Sequence, residues 1–267
     1  MYTLATLHQL RQRLGLSASD TGDDARLLGA LQAASAQIER SSGRRFSPHV
    51  ATLAHDVNPR HPDELLLADD LLQLDSITNG DGSSIDVVDV ITLPEAALDG
   101  PISVLRLAGG QAFNWTETPL RAVSVSGIWG WHDRWTRAWF DSGDTVQDNP
   151  LNSSSSTITV SDADGADSYG ISPRFQIGQL LRLEDEYLRL LAVNTATNVL
   201  TVLRGVNGTT AAAHDQNTVI QVYQPPLDLE MLCLRWAMWL YKEPDNRAFA
   251  TTPAALMVAL GGLRRVG

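Results

Sequence analysis

His55 and His61 come nearest to a metal-ligating or acid–base cluster, because Asp56, Asp63 and Glu64 stand beside them. Five residues separate the two imidazoles, and Asn58, Pro59 and Pro62 make the stretch a turn-rich loop. That is unlike the short fixed intervals that set metal ligands on one face of an element. The expectation is a solvated polar loop. DADGAD (Asp162 to Asp167) has the carboxylate density of a calcium loop. Its glycine position and its missing distal glutamate break the EF-hand pattern, so a solvated turn is expected there too. No phosphate-cradling glycine loop, nucleophile elbow or HExxH helix occurs. No catalytic residue, metal or cofactor is assigned, and the chain is read as non-enzymatic.

The remaining chemistry is aromatic. Trp129, Trp131, Trp135, Trp139 and Phe140 fall within twelve positions. Rings in such a row could stack on sugars. Their period-2 start argues instead that alternate rings fill a core face while the others cover a neighbouring element or subunit. Trp236 and Trp239 lie on a strongly apolar helical stretch and are read as core.

The elements that must position these residues follow from periodicity. Thr3 to Leu14 sets Leu4, Leu7, Leu10 and Leu14 at helical spacing and stops at Gly15. A second helix starts near Thr21 with Asp23 and Asp24 in its first turn, carries Leu27, Leu31, Ala34 and Ile38 on one stripe, and ends at Gly43 in QIERSSGRRFSPH. Between Val50 and Trp131, short apolar runs (64–67, 84–93, 102–107, 121–131) alternate with glycine-rich turns, which predicts an antiparallel β module. Residues 141–156 (DSGDTVQDNPLNSSSS) are polar and aperiodic and read as a linker. A second β segment follows, with turns expected at Asp185-Glu186 and Asn207-Gly208. Pro226 then opens a helix over Leu227 to Tyr241, and a last helix begins at Thr252-Pro253. One-sided helices at both ends must cover one another. The expected fold is therefore α+β: a helical core from the N- and C-terminal helices with inserted antiparallel β modules, sandwich or small barrel. The corresponding domains are 1–47 with 224–267, 48–140, the linker 141–156, and 157–223.

Charge follows the same division. The net charge is −11. Residues 1–47 carry six arginines against four acids and 227–267 carry five basic against four acidic residues, leaving 9 basic and 23 acidic residues between them. That balance argues against gripping nucleic acid through its phosphates. No apolar run is long enough to span a bilayer, and His8, Arg11 and Arg13 interrupt any signal-peptide core, so synthesis in the cytoplasm is expected. The single cysteine, Cys233, excludes an internal disulfide.

Several of these stretches, in this order, resemble the head-to-tail connector (adaptor, or head-completion) proteins of tailed bacteriophages. They are an acidic-start helix ending in IERSSGRRF, then AVSVSGIWGWHDRW, then a helix after a proline in PPLDLEMLCLRWAMWLYKEPDNR, then LGGLRR. FQIGQLLRLEDEYLRLLAV with RGVNGTTAAAH is similar to a small β module of phage neck and tail proteins. The resemblance implies a structural neck protein at the portal vertex of a virion. Twelve copies would form a ring between the portal protein and a downstream stopper or tail-completion protein, with genomic DNA passing through without specific binding and no membrane contact. It implies portal docking by Leu260, Leu263, Arg264 and Arg265. Subunit contacts are expected at Arg44, Arg45, Phe46, Trp131 and Trp135, although Arg44 and Arg45 could equally pair with their own helix end or with acids of the first β module. The alternative is a carbohydrate- or receptor-binding virion module using the tryptophans of 129–140.

Overall fold

The computed structural model describes residues 3–17, 20–94 and 100–242. Two compact units form: Arg44–Thr136 alone, and Met1–Gly43 together with Arg137–Gly267. The last expected helix, with Leu260, Leu263, Arg264 and Arg265, lies outside the described residues.

The discontinuous unit is built on three helices, α1 (Leu7–Leu14), α2 (Asp24–Ser42) and α3 (Leu227–Lys242). The start of α1 is held by a reciprocal cap: Thr6 Oγ1 accepts the Gln9 N–H at 3.2 Å, and the Thr6 N–H donates to Gln9 Oε1 at 2.8 Å. Thr3, Leu4 and Ala5, expected in this helix, precede it as buried, non-helical chain that bends at Leu4 and Ala5. α2 begins at Asp24, later than Thr21, and ends at Gly43, whose φ of 68° is the left-handed conformation that a C-terminal glycine supplies. Its stripe of Leu27, Leu31, Ala34 and Ile38 is fully buried. That stripe lies along α3, while α1 touches both helices. Polar bonds fix the bundle. Arg11 pairs with Asp24, the Tyr241 hydroxyl donates to Asp23 at 2.5 Å, and Ser35 Oγ donates to Leu31 O while accepting the Leu4 N–H. Among the described residues, α1, α2 and α3 therefore pack as one helical cluster.

The same unit contains a six-stranded antiparallel sheet. Its strands are β7 (Trp139–Thr145), β8 (Thr157–Thr159), β9 (Leu180–Leu183), β10 (Glu186–Asn194), β11 (Val199–Leu203) and β12 (Val219–Tyr223), in the order β7-β12-β9-β10-β11-β8. The chain that leaves β7 reaches β8. The Gln147 N–H donates to Thr159 O at 2.9 Å, and the Asp148 carboxylate accepts from the Thr159 backbone and hydroxyl. The chain just past β7 is thus tied to β8, and the sheet packs around Val146, Ile158, Leu181, Leu188, Leu200, Ile220 and their neighbours. Residues 141–156 are therefore no simple linker. Residues 141–145 belong to β7, Val146 and Leu151 are in the core, and the buried Asp144 carboxylate accepts the Ser161 and Asp162 N–H groups. The expected turn at Asp185-Glu186 falls one residue earlier, since Leu183 pairs with Glu186 across Glu184-Asp185.

Residues 44–136 hold the first β module, also antiparallel: β1 (His49–His55), β2 (Glu64–Thr78), β3 (Ser84–Ile85), β4 (Val90–Leu93), β5 (Ile102–Leu107) and β6 (Val123–Trp129). The order is β1-β6-β2-β5-β4, with β3 beside β2. The long β2 pairs with β5 through Glu64 to Leu66 and with β6 through Leu71 to Thr78, with a register shift between. It therefore curls the sheet around a core of Leu65, Leu71, Ile77, Leu105, Phe113, Val125 and Trp129. β6 alternates cleanly, with Val123, Val125, Gly127 and Trp129 inward. Gly127 is required by space: a Cβ there would lie 2.1 Å from Gln73 O.

Candidate functional site

The arginine and aromatic residues singled out by sequence meet at one end of the 44–136 unit. After Gly43 the chain runs Arg44-Arg45-Phe46, and the Trp131 N–H donates to Arg45 O at 2.8 Å, so the segment just beyond β6 is tied to the segment just before β1. Phe46 is fully buried and meets the edge of the Trp131 ring at 5.7 Å and 87°. Arg44 lies over that ring, its guanidinium 5.4 Å from the centroid, and its Nη1 reaches Asp70 at 3.6 Å. Trp131 is thereby fixed between an internal ring and an internal ion pair while remaining half-buried. Trp129 is fully buried, stacked on His55 at 5.5 Å with Nε1 donating to Ala51 O. Trp135 is half-buried in a short helical turn, Trp135–Arg137. Arg45 and Arg134 are exposed.

The expected contact residues thus divide into two kinds. Phe46 has no exposed surface, so it supports Trp131 from within instead of meeting a neighbour. Arg44 takes the pairing with an acid of the first β module. Arg45, Trp131 and Trp135 keep surface available. Arg45 also bears on His49, whose pKa falls to about 4 through burial first and the Arg45 charge second. Trp139 and Phe140 belong to the other unit, where Trp139 stacks on Tyr187 at 5.1 Å under the Arg182 guanidinium. The five rings of 129–140 are therefore divided between two units.

At the far end of the β1–β6 pair lies a cavity of ≈ 740 Å³. It opens between the end of β1, the loop after it and the start of β2, with Leu66 (67% exposed) and Leu120 (63% exposed) on its rim. Asp56, His61 and Glu64 line it together with the buried His55, the cluster that the sequence suggested. Burial lowers the His55 pKa against the opposing charges of Asp69 and Asp56. Asp56 accepts the Arg121 N–H at 2.6 Å and Glu64 pairs with Arg106. No three groups here or elsewhere among the described residues converge as metal ligands.

Two further polar clusters are internal braces. In the Asp162–Asp167 loop, Arg174 lies between the carboxylates of Asp144 and Asp162, 3.6 Å from each, and donates to Gly143 O. The guanidinium thus braces Asp162 of the loop against Asp144 of β7. The other brace has no sequence signature. The Glu186 side chain, 1% exposed, takes two 2.6 Å bonds from Arg204, the Gly205 and Ala212 N–H groups and His214 Nε2 at 2.9 Å. Arg204 also donates to the carbonyls of Asn152, Ser155 and Ala212. His214 spans from Glu186 to Glu184. Burial alone would raise the Glu186 pKa, but these bonds, Arg204 foremost, overcome it and hold the carboxyl at about 2. The cluster pins the loop 204–214 to the sheet.

Comparison with known proteins adds little. No protein family model and no curated protein matches the chain. A chain in a solved structure described as the neck of an empty GTA particle computed with C6 symmetry is similar over 49% of this chain and 67% of that one, at 18% identity and a TM-score of 0.32. A likeness of that size settles neither fold nor function.

Proposed function

We propose that this chain is a structural, non-enzymatic protein of a tailed-phage-like virion neck. In this reading it is a head-to-tail adaptor that acts as a ring of twelve copies between the portal and a stopper or tail-completion protein. Its place is the portal vertex, reached from the host cytoplasm during assembly, and DNA passes through its lumen. The observation that carries the reading is an order of elements. An acidic-start helix ending in IERSSGRRF is separated by an acidic β excursion from an apolar helix after Pro225-Pro226, and α2 and α3 nonetheless pack side by side. The helical segments 1–47 and 224–267 would build the ring and the β modules would face outward or toward the next neck component. An acidic middle also suits a conduit, since like charge keeps phosphates from adhering.

Leu260, Leu263, Arg264 and Arg265 are proposed to meet the portal. The test is deletion of 263–267. Rings at the portal vertex of particles, seen by electron microscopy with the intact protein and lost with the truncation at unchanged melting temperature, support the reading. Normal docking by the truncated protein refutes the assignment of those residues, and absence of the intact protein from the vertex refutes the neck role.

A further inference from the structure

The chain contains two Asn-Gly pairs, Asn79-Gly80 and Asn207-Gly208, in opposite surroundings. An asparagine before glycine is prone to react with itself, because no side chain shields the glycine nitrogen from the asparagine amide. At Asn79 that nitrogen is engaged. The Gly80 N–H donates to Asn114 O at 2.9 Å and to Asn79 Oδ1 at 3.2 Å, so it meets the side-chain carbonyl through its hydrogen and at the oxygen, not at the carbon. The same Oδ1 accepts the Asn114 N–H at 2.7 Å, the Asn79 N–H donates to Ser83 O at 2.7 Å, and Asn79 is 6% exposed. The second pair is held less firmly. Asn207 and Gly208, with φ of 54° and 83°, are the central residues of a left-handed turn closed by the Thr209 N–H on Val206 O at 3.2 Å. Gly208 is exposed, and its N–H has no acceptor among the described residues.

We propose that Asn207 is a site of spontaneous covalent modification, converting to aspartate and isoaspartate with loss of ammonia, whereas Asn79 is preserved. The Gly208 nitrogen gives up its proton to hydroxide and attacks Asn207 Cγ. A C–N bond forms, the Cγ–Nδ2 bond breaks, and ammonia leaves with a proton taken from water. Water then opens the resulting cyclic imide at either carbonyl. Cleavage at Cγ gives aspartate. Cleavage at the main-chain carbonyl gives isoaspartate, in which the chain runs through the former side chain and is longer by a methylene. The position of the turn gives that extra length a consequence. The turn clasps Tyr187 from both sides: the Val206 N–H donates to Tyr187 O at 3.0 Å, and the Thr209 hydroxyl accepts the Tyr187 N–H at 3.0 Å. A backbone lengthened between these two residues does not keep both bonds, and the one lost adjoins Glu186, on which Arg204 and His214 converge. Water and hydroxide are the only co-reactants, so the inference is independent of the neck role proposed above.

The test ages the full chain at mildly alkaline pH, once folded and once in concentrated urea. Peptide mapping follows both asparagines, and electron-transfer fragmentation separates isoaspartate from aspartate. In the folded chain Asn207 should convert at least ~10-fold faster than Asn79, and in urea the two rates should approach each other. Hydrogen exchange at the Tyr187 amide should rise in the converted fraction while exchange at the Asn114 amide stays constant. Asn207→Gly keeps the positive φ and removes the reacting amide, so its Tyr187 protection should not change with age. Equal conversion of the two sites in the folded chain, a ratio that is the same folded and in urea, or an Asn207 that stays intact while the urea sample converts would each overturn the proposal. A converted fraction with unchanged Tyr187 exchange would overturn the consequence drawn for the loop.

Discussion

Replacing Glu186 by glutamine should destabilise the discontinuous unit more than any other single polar change, and its pH dependence should identify the cause. The carboxylate takes two bonds from Arg204 and three from Gly205, Ala212 and His214, at 1% side-chain exposure. Its pKa of about 2 against an ordinary 4.5 corresponds to about 3 kcal/mol of differential stabilisation of the charged form. Removing the charge also leaves Arg204, 7% exposed, buried without its counter-ion, which costs about 3–5 kcal/mol in comparable sites. At roughly 2–4 °C per kcal/mol for a unit of this size, the melting temperature at pH 7 should fall by about 6–20 °C. Because the folded pKa is depressed, the stabilisation is complete above the unfolded value near 4.5 and disappears as pH falls through about 2. Scanning calorimetry of both proteins between pH 7 and pH 2 should therefore show curves that converge at the acidic end. A loss below ~0.5 kcal/mol at pH 7, or a gap that stays constant to pH 2, would refute the view that this ion pair pins the 204–214 loop.

Smaller changes test the local arguments. Gly127→Ala should cost at least ~2 kcal/mol in urea unfolding, because its Cβ meets the Gln73 carbonyl and the Leu71 side chain; a neutral result would mean that β2 and β6 yield easily. Thr6→Ala should cost about 1 kcal/mol by loss of the α1 cap, with protection of the Gln9 amide against hydrogen exchange falling first.

Where the sequence was informative, a local rule controlled the outcome. Gly15 and Gly43 end their helices in the left-handed conformation, and the α2 stripe is buried as its 3.6-residue spacing requires. The strands that escaped notice lack such a rule. β7 reads WFDSGDT, and its polar letters suggested a linker because Ser142 and Asp144 are buried and bonded, which no periodicity shows. β2 was legible only over 64–67, since Asp69 and Asp70 interrupt its pattern where the strand bends. The arrangement of the arginine and aromatic cluster was half legible. The cluster of Arg44, Arg45, Phe46 and Trp131 is evident in sequence, but its division into buried support and free surface depends on pairings across the sheet. The groove brings Leu120 to Leu66 from a distant segment, and the Glu186 brace gathers Arg204 and His214 from 18 and 28 positions away, beyond any motif's reach.

The packing of α2 on α3 also sets an order of events during synthesis. α2 leaves the ribosome long before Leu227 has been translated; at roughly 5–20 residues per second, its leucine stripe waits on the order of 10–40 s for its cover. In that interval the 44–136 module, whose ends are tied by the Arg45–Trp131 backbone bond, can complete its own core. A ribosome stalled just before Leu227 should therefore carry a protease-resistant central module flanked by a digestible N-terminal segment. The exposed α2 stripe makes that nascent chain the stage at which a chaperone would be recruited.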